Sequence, residues 1–136
     1  MSKLILFTSN YARNGNHPDA VSISVTVPRW YPQLEHYPDL APTWAIVKDY
    51  KDKRTNIKQY TTQYLDLLQS RNVSPLKVAE DLHGRIMLCY EKPTDFCHRH
   101  LVAFWLEHEL PNQVIVKEIL GEKDKGQLFS VIANCF

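Results

Sequence analysis

The chain has 136 residues, a hydrophobic fraction of 44%, a charged fraction of 23% and a net charge of +1. These are the proportions of one globular domain, long enough to bury roughly two thirds of its unfolded surface. The near-neutral balance does not announce a nucleic-acid or membrane-surface binder, and no apolar run approaches the ~20 residues of a membrane span.

Met1-Ser2-Lys3-Leu4 lacks the long apolar stretch of a secretory signal. The three cysteines have no framework spacing, which favours free thiols in a reducing cytoplasm over structural disulfides. Leu4–Phe7 reads as a buried strand, followed by Thr8, Ser9, Asn10 and Tyr11 and then a polar loop to Pro18. Val21–Val27 alternates with β-branched residues, so a second strand is expected there, stopped by Pro28. Between Pro28 and Pro42, four prolines stand among Trp30, Tyr31, Tyr37 and Leu40. Proline fixes φ and cannot donate to a ladder, so regular structure is excluded there. The aromatics imply an ordered loop, one that either covers an edge of the sheet or walls a ligand site.

Thr43 can cap a short helix carrying Trp44, Val47 and Tyr50. The mixed charges from Lys48 to Arg54 read as a solvated face. A longer helix from about Thr55 to Ser70 puts Ile57, Tyr60, Tyr64, Leu67 and Leu68 on one side. Ser74-Pro75 opens another, with Leu76, Ala79 and Leu82 inward and Gly84 just past its end. Ile86–Tyr90 is continuously apolar, as expected of a strand covered on both faces. A turn on Pro93, Thr94 and Asp95 then leads to a helix from Cys97, with Thr94 or Asp95 as its cap. Leu101, Val102, Trp105, Leu106 and Leu110 fall at helical spacing, and Pro111 ends the helix. Val114–Val116 resembles a further strand, 121–126 a charged turn, and 128–132 is apolar enough to pack back on the domain. Strands alternating with helices predict an α/β fold with a mostly parallel sheet and helices on its faces, one domain over residues 1–136. Ligands in such folds sit at the carboxyl ends of the strands.

The strand–turn–helix around Cys97 is where chemistry is expected. A thiol at a helix N-terminus beside Arg99 is pushed towards thiolate and could act as a nucleophile. It could equally pack the junction as a small buried group. His98 could act as acid or base, and Arg99 could fork onto a phosphate or carboxylate, or pair with Glu91 or Asp95. Cationic residues in a first turn oppose the helix dipole, which points to a purpose other than helix stability. Cys89, inside an apolar strand, reads as packing. Cys97 and His100 share a helical face, with Cys89 and His83 able to complete a set, but no repeated close ligand pair exists and the spacing argues against a metal. With four glycines, no Walker or dinucleotide loop can be written, so no cofactor is expected.

The run Leu88-Cys89-Tyr90-Glu91-Lys92-Pro93-Thr94-Asp95-Phe96-Cys97-His98-Arg99-His100-Leu101-Val102 resembles the hallmark of domain-of-unknown-function family 488, a family of small bacterial and phage proteins. The resemblance extends to Phe7–Tyr11, to Ser22-Ile23-Ser24 followed by Pro28, and to Leu40–Trp44, covering roughly Leu4 to Leu110. It implies a compact Rossmann-like α/β domain of three layers, in the cytoplasm of a bacterial cell or encoded by a phage. Members of that family often carry an arginine soon after the Ser-Ile-Ser strand. Here Val25 and Thr26 stand there and Arg29 follows the proline.

Together these readings predict a pocket for a nucleotide-like or other phosphate-bearing small ligand, either sequestered as a signal or modified. Thr8, Ser9, Asn10, Tyr11, Arg29, Trp30, Trp44, Glu91, Thr94, Asp95 and Arg99 are the expected ligand contacts. The alternatives are a cysteine-dependent enzyme working through Cys97 and His98, and a nucleic-acid-associated protein, which the net charge disfavours. No membrane partner is expected. The aromatic content leaves room for a homo-oligomeric interface.

Overall fold

The computed structural model describes residues 3–91 and 96–119. Among the described residues five strands and five α-helices follow in the order β1 (Leu4–Asn10), α1 (Tyr11–Asn14), β2 (Ala20–Ser22), β3 (Glu35–His36), α2 (Trp44–Lys51), α3 (Ile57–Ser70), α4 (Pro75–Asp81), β4 (Ile86–Cys89), α5 (His98–Glu109) and β5 (Val114–Glu118). The strands form one sheet in the order β3-β2-β4-β1-β5, and every pairing is parallel. This is the α/β architecture with a parallel sheet that the pattern of elements predicts, and the Rossmann-like domain that the family resemblance implies. The expected caps Thr94 and Asp95, the charged turn 121–126 and the apolar segment 128–132 lie outside the described residues.

Side chains alternate across a strand, so each strand feeds two cores. Leu6, Val21 and Met87 face helices α3 to α5, where Tyr64, Leu68, Val78, Leu101 and Leu106 complete the larger cluster. Ala20, Ile86 and Leu88 face the other way, under Tyr11 and the half-buried Phe7, Tyr31 and Leu34. That second layer is thin, being made of α1 and the aromatic loop. Gly15 makes it possible, because a Cβ there would run into the Tyr31 ring and come within 2.6 Å of the Tyr11 carbonyl. Tyr31 Oη donates to that same carbonyl at 3.0 Å.

The helices start where their caps dictate. Thr43 accepts from Ile46 N at the head of α2, and Ser74 accepts from Lys77 N ahead of Pro75 in α4. Asn56 and Gln59 form a reciprocal capping box that sets the start of α3. Past α4, Gly84 takes φ +77°, the left-handed region open to glycine.

Four boundaries depart from expectation. β1 runs three residues beyond Phe7, since Thr8, Ser9 and Asn10 pair with Met87, Leu88 and Cys89 and each polar side chain finds a partner. β2 stops at Ser22 instead of Val27. Ile23 N still reaches Leu88 O, but the carbonyls of Ile23 and Ser24 accept from His98 and His36 side chains in place of a ladder. The proline-rich stretch does hold regular structure, a two-residue β3 and a 3₁₀ turn at Pro38–Leu40. Pro38 takes the first position of that turn, where a missing N–H costs nothing. Finally, β5 extends to Glu118, whose carboxylate is used inside the fold.

Candidate functional site

A buried ionic network lies where β1, β5 and α5 meet. Arg99 is fully buried on the first turn of α5, and its Nε and Nη2 donate to both Glu118 oxygens at 2.9–3.3 Å. Its Nη1 donates to the Glu91 carbonyl at 2.9 Å and to Cys89 Sγ at 3.1 Å. Thr8 Oγ1 donates to Glu118 at 2.5 Å. A buried charge has to be matched this fully, because an unpaired one costs several kcal/mol. The guanidinium therefore serves Glu118 and the end of β4. Of the two roles open to Arg99, ligand fork or internal pairing, the geometry displays the pairing, with Glu118 as its carboxylate partner and Glu91 contributing its carbonyl.

Beside the network, a cleft of about 960 Å³ opens at the carboxyl ends of β2 and β4. Its walls come from the segment after β2 (Ser24 to Thr26), from α2 (Trp44, Tyr50, Lys51), from Tyr60 on α3, and from Cys89 to Glu91 and Phe96 to His98. Tyr50, Tyr60 and Phe96 pack on one another with ring centroids 5.0–5.7 Å apart. Trp44 stands 60% exposed at the rim, available to a ligand. Lys51 is the one lysine or arginine among the described lining residues.

Three donors converge in the cleft wall. His98 Nε2 lies 2.6 Å from the Ile23 carbonyl, and because a carbonyl only accepts, Nε2 carries the proton. Nδ1 is left bare, 3.8 Å from Cys97 Sγ. Burial pushes His98 down to about 4, outweighing the carbonyl's opposing pull, so the ring is neutral near pH 7. Cys89 and Cys97 are joined as a disulfide. This corrects the expectation of free thiols: odd count and spacing say nothing about a contact that appears only when β4 and α5 pack together. Cys97 is also the residue that precedes α5 in the capping position, and it gives no side-chain cap.

Chemically, a reduced Cys97 next to a bare, oriented imidazole nitrogen has the geometry of a thiol with its base. The same atoms, with Cys89, form a Cys₂His donor set whose ligand atoms lie within 4.8 Å of one another.

Of the residues expected to contact a ligand, Trp44 and Glu91 line the cleft together with Cys97 and His98. Thr8, Ser9, Asn10 and Tyr11 are buried beneath, with Ser9 on Asn14 and Asn10 capping α1. Tyr11 Oη donates to Ser24 at 2.7 Å and lies 2.6 Å from Ser22 Oγ, so it braces the cleft's floor from below. Trp30 lines a separate surface depression with Tyr31 and Arg85, and Arg29 is exposed and lines neither cavity. His83, considered as a metal ligand, accepts from Ile5 N instead.

Sequence reasoning missed Tyr50 and Tyr60 as cleft residues because their helical spacing reads equally as core, and Phe96 because it stands ahead of α5 with no pattern to mark it. It also missed Glu118, although a carboxylate ending an apolar strand next to a fold rich in buried polar groups was a usable signal.

The DUF488-N3a family, described as the active DUF488-N3 subclade, matches residues 7–110. The Cys-x7-Cys-His-Arg element of the sequence falls inside that span, as Cys89, Cys97, His98 and Arg99. No curated protein and no solved structure matches the chain.

Proposed function

The chain belongs to the DUF488-N3a family, and on that footing we propose that its cleft binds and modifies a small nucleotide-like ligand. The observation that carries the reading is the wall composition: aromatic rings on one side, sulfur and imidazole on the other, one lysine at the rim. A volume of about 960 Å³ suits a ligand of nucleotide size. Trp44 and Tyr50 offer faces for a base, since every base has a π-face to stack. Ser24 and Thr26 offer hydroxyls to a sugar, and Lys51 is the cation nearest to hand for a phosphate. Arg99 contributes indirectly, holding Glu91 and Cys89 at the cleft's edge. The family's description as an active subclade lends weight to modification over sequestration. A nucleic-acid surface on α2 draws less support, because Lys48 pairs with Asp52 and Arg54 with Asp49.

The test is a titration with nucleoside monophosphates and their nucleosides, followed by tryptophan fluorescence and calorimetry. Binding should depend on Trp44, and Lys51→Ala should weaken the monophosphate more than the nucleoside. Absence of binding to all four bases up to millimolar concentration would sink the reading.

A further inference from the structure

We infer that, once its disulfide is reduced, the cleft wall is a zinc site built from Cys89 Sγ, Cys97 Sγ and His98 Nδ1, with the fourth position open to the cleft. The inference goes beyond the ligand reading and does not rest on it, since zinc binding is measured with no nucleotide present.

Geometry comes first. In tetrahedral zinc sites Zn–S is about 2.3 Å and Zn–N about 2.0 Å, which sets sulfur and nitrogen about 3.5 Å apart. Cys97 Sγ and His98 Nδ1 already stand 3.8 Å apart, and all three donor atoms fall within 4.8 Å of one another. To hold a metal the two sulfurs must separate and Cys89 Sγ must draw in towards the imidazole. The donors are buried side chains held by different elements: Cys89 at the end of β4, Cys97 and His98 at the start of α5.

The surroundings match what a metal-binding imidazole requires. A ligating histidine commonly donates its second ring N–H to a carbonyl or carboxylate, which fixes the tautomer and turns the bare nitrogen to the metal. His98 does this through the Ile23 carbonyl at 2.6 Å. Arg99 Nη1 donates to Cys89 Sγ at 3.1 Å, an outer-shell N–H···S bond that favours the thiolate. Its charge does not repel a cation unopposed, because Glu118 holds the same guanidinium in a two-pronged ion pair. Two thiolates and an imidazole are a soft donor set that selects zinc over magnesium or calcium. Three protein ligands with the cleft on the fourth side are the arrangement of a site that accepts water or substrate.

A thiol with its base would need only Cys97 and His98. The convergence of Cys89 on the same point is what favours a metal, and it makes Cys97 a ligand instead of a nucleophile. Opening the site takes two electrons. A dithiol or phosphine reductant breaks the Sγ–Sγ bond and is itself oxidised, and the two thiols release their protons to solvent as the metal binds. Oxidation reverses this, expelling zinc as the disulfide re-forms.

The experiment uses the full chain, reduced with a phosphine under anaerobic conditions, with zinc chloride alone as the probe. About one zinc per chain should survive gel filtration by metal analysis, and a thiol oxidant should release it. Cobalt in place of zinc should give thiolate-to-cobalt charge-transfer bands and tetrahedral d–d bands. Cys89→Ser, Cys97→Ser and His98→Gln should each cost more than the roughly 10–100-fold in affinity that loss of an outer-shell partner costs. His83→Gln should leave zinc in place, since that ring accepts from Ile5 N instead. Should a ligand variant fail to fold, alkylation of the wild type gives the answer: zinc should protect Cys89 and Cys97 from iodoacetamide, read residue by residue by peptide mass. Reduced wild type that retains no zinc, or zinc that leaves both cysteines open to alkylation, overturns the proposal.

Discussion

At the β1–β5 side of the sheet's carboxyl edge, Thr8 and Arg99 converge on the Glu118 carboxylate, and all three side chains are shut away from solvent. At the β2–β4 side, a few residues away, Cys89, Cys97 and His98 face an open cleft ringed by aromatics. Both regions carry polar chemistry at strand ends, where α/β folds place their ligands. The first consumes its polar groups internally. The second joins its two sulfurs to each other and turns them, with the unprotonated His98 Nδ1, towards the cleft. Arg99 joins the two, with its Nε and Nη2 on Glu118 and its Nη1 on Cys89 and Glu91.

If that contrast is right, substitutions on the closed side should damage folding and those at the cleft's rim should damage binding. The largest effect is expected for Arg99→Ala, which leaves the Glu118 carboxylate buried and unpaired at a cost of about 3–5 kcal/mol. Urea unfolding would read this directly. The double change Arg99→Met/Glu118→Met should recover most of the loss, whereas a single-variant cost below about 1 kcal/mol would show that the pair is not structural. Gly15→Ala should come next, at about 1–3 kcal/mol, since its Cβ forces the Tyr31 ring off the sheet. A midpoint shift without a change in slope would mark it as packing alone.

Smaller again is Asn56→Ala, which removes one half of the capping box of α3 for about 1 kcal/mol. Because Ile57 and Tyr60 on that helix's first turns line the cleft, ligand affinity should fall along with stability. Trp44→Ala sharpens the comparison most. At 60% exposure it should change stability by no more than about 0.5 kcal/mol. Losing a stacking partner should still weaken a nucleoside monophosphate by 1–3 kcal/mol, about 5- to 150-fold. Equal losses of stability and binding would erase the distinction between the two sides.

Much of the fold could be read from single residues. Thr43, Ser74-Pro75 and Gly84 mark helix ends because capping is local chemistry, settled within four residues of chain. The apolar run from Ile86 and the spacing of Leu101, Val102, Trp105 and Leu106 are equally local, and all are buried except Tyr90, which lies past the strand's end at Cys89 and is exposed. Misread boundaries belong to residues whose partners are far away. Val21–Val27 has the alternation of a strand throughout, yet its second half is given over to His36 and His98. Thr8 to Asn10 look like loop until Glu118, Asn14 and Arg13 receive their side chains.

The site divides in the same way. That chemistry would gather at Cys97, His98 and Arg99 was visible from a cationic first turn, a run of residues not chosen for helix stability. Their roles were not visible. The sequence by itself determined the α/β alternation, the helix caps and the strand–helix junction, because each rests on neighbours three or four positions apart. Tertiary structure alone decided that Arg99 turns inward to Glu118 nineteen residues on, and that Cys89 meets Cys97 and His98 at one point. It also decided that Ile23, seventy-five residues away, sets the tautomer of His98. Hydrogen bonds and charge pairs act over a few ångströms of space, and no local pattern records which distant residue will fill that space.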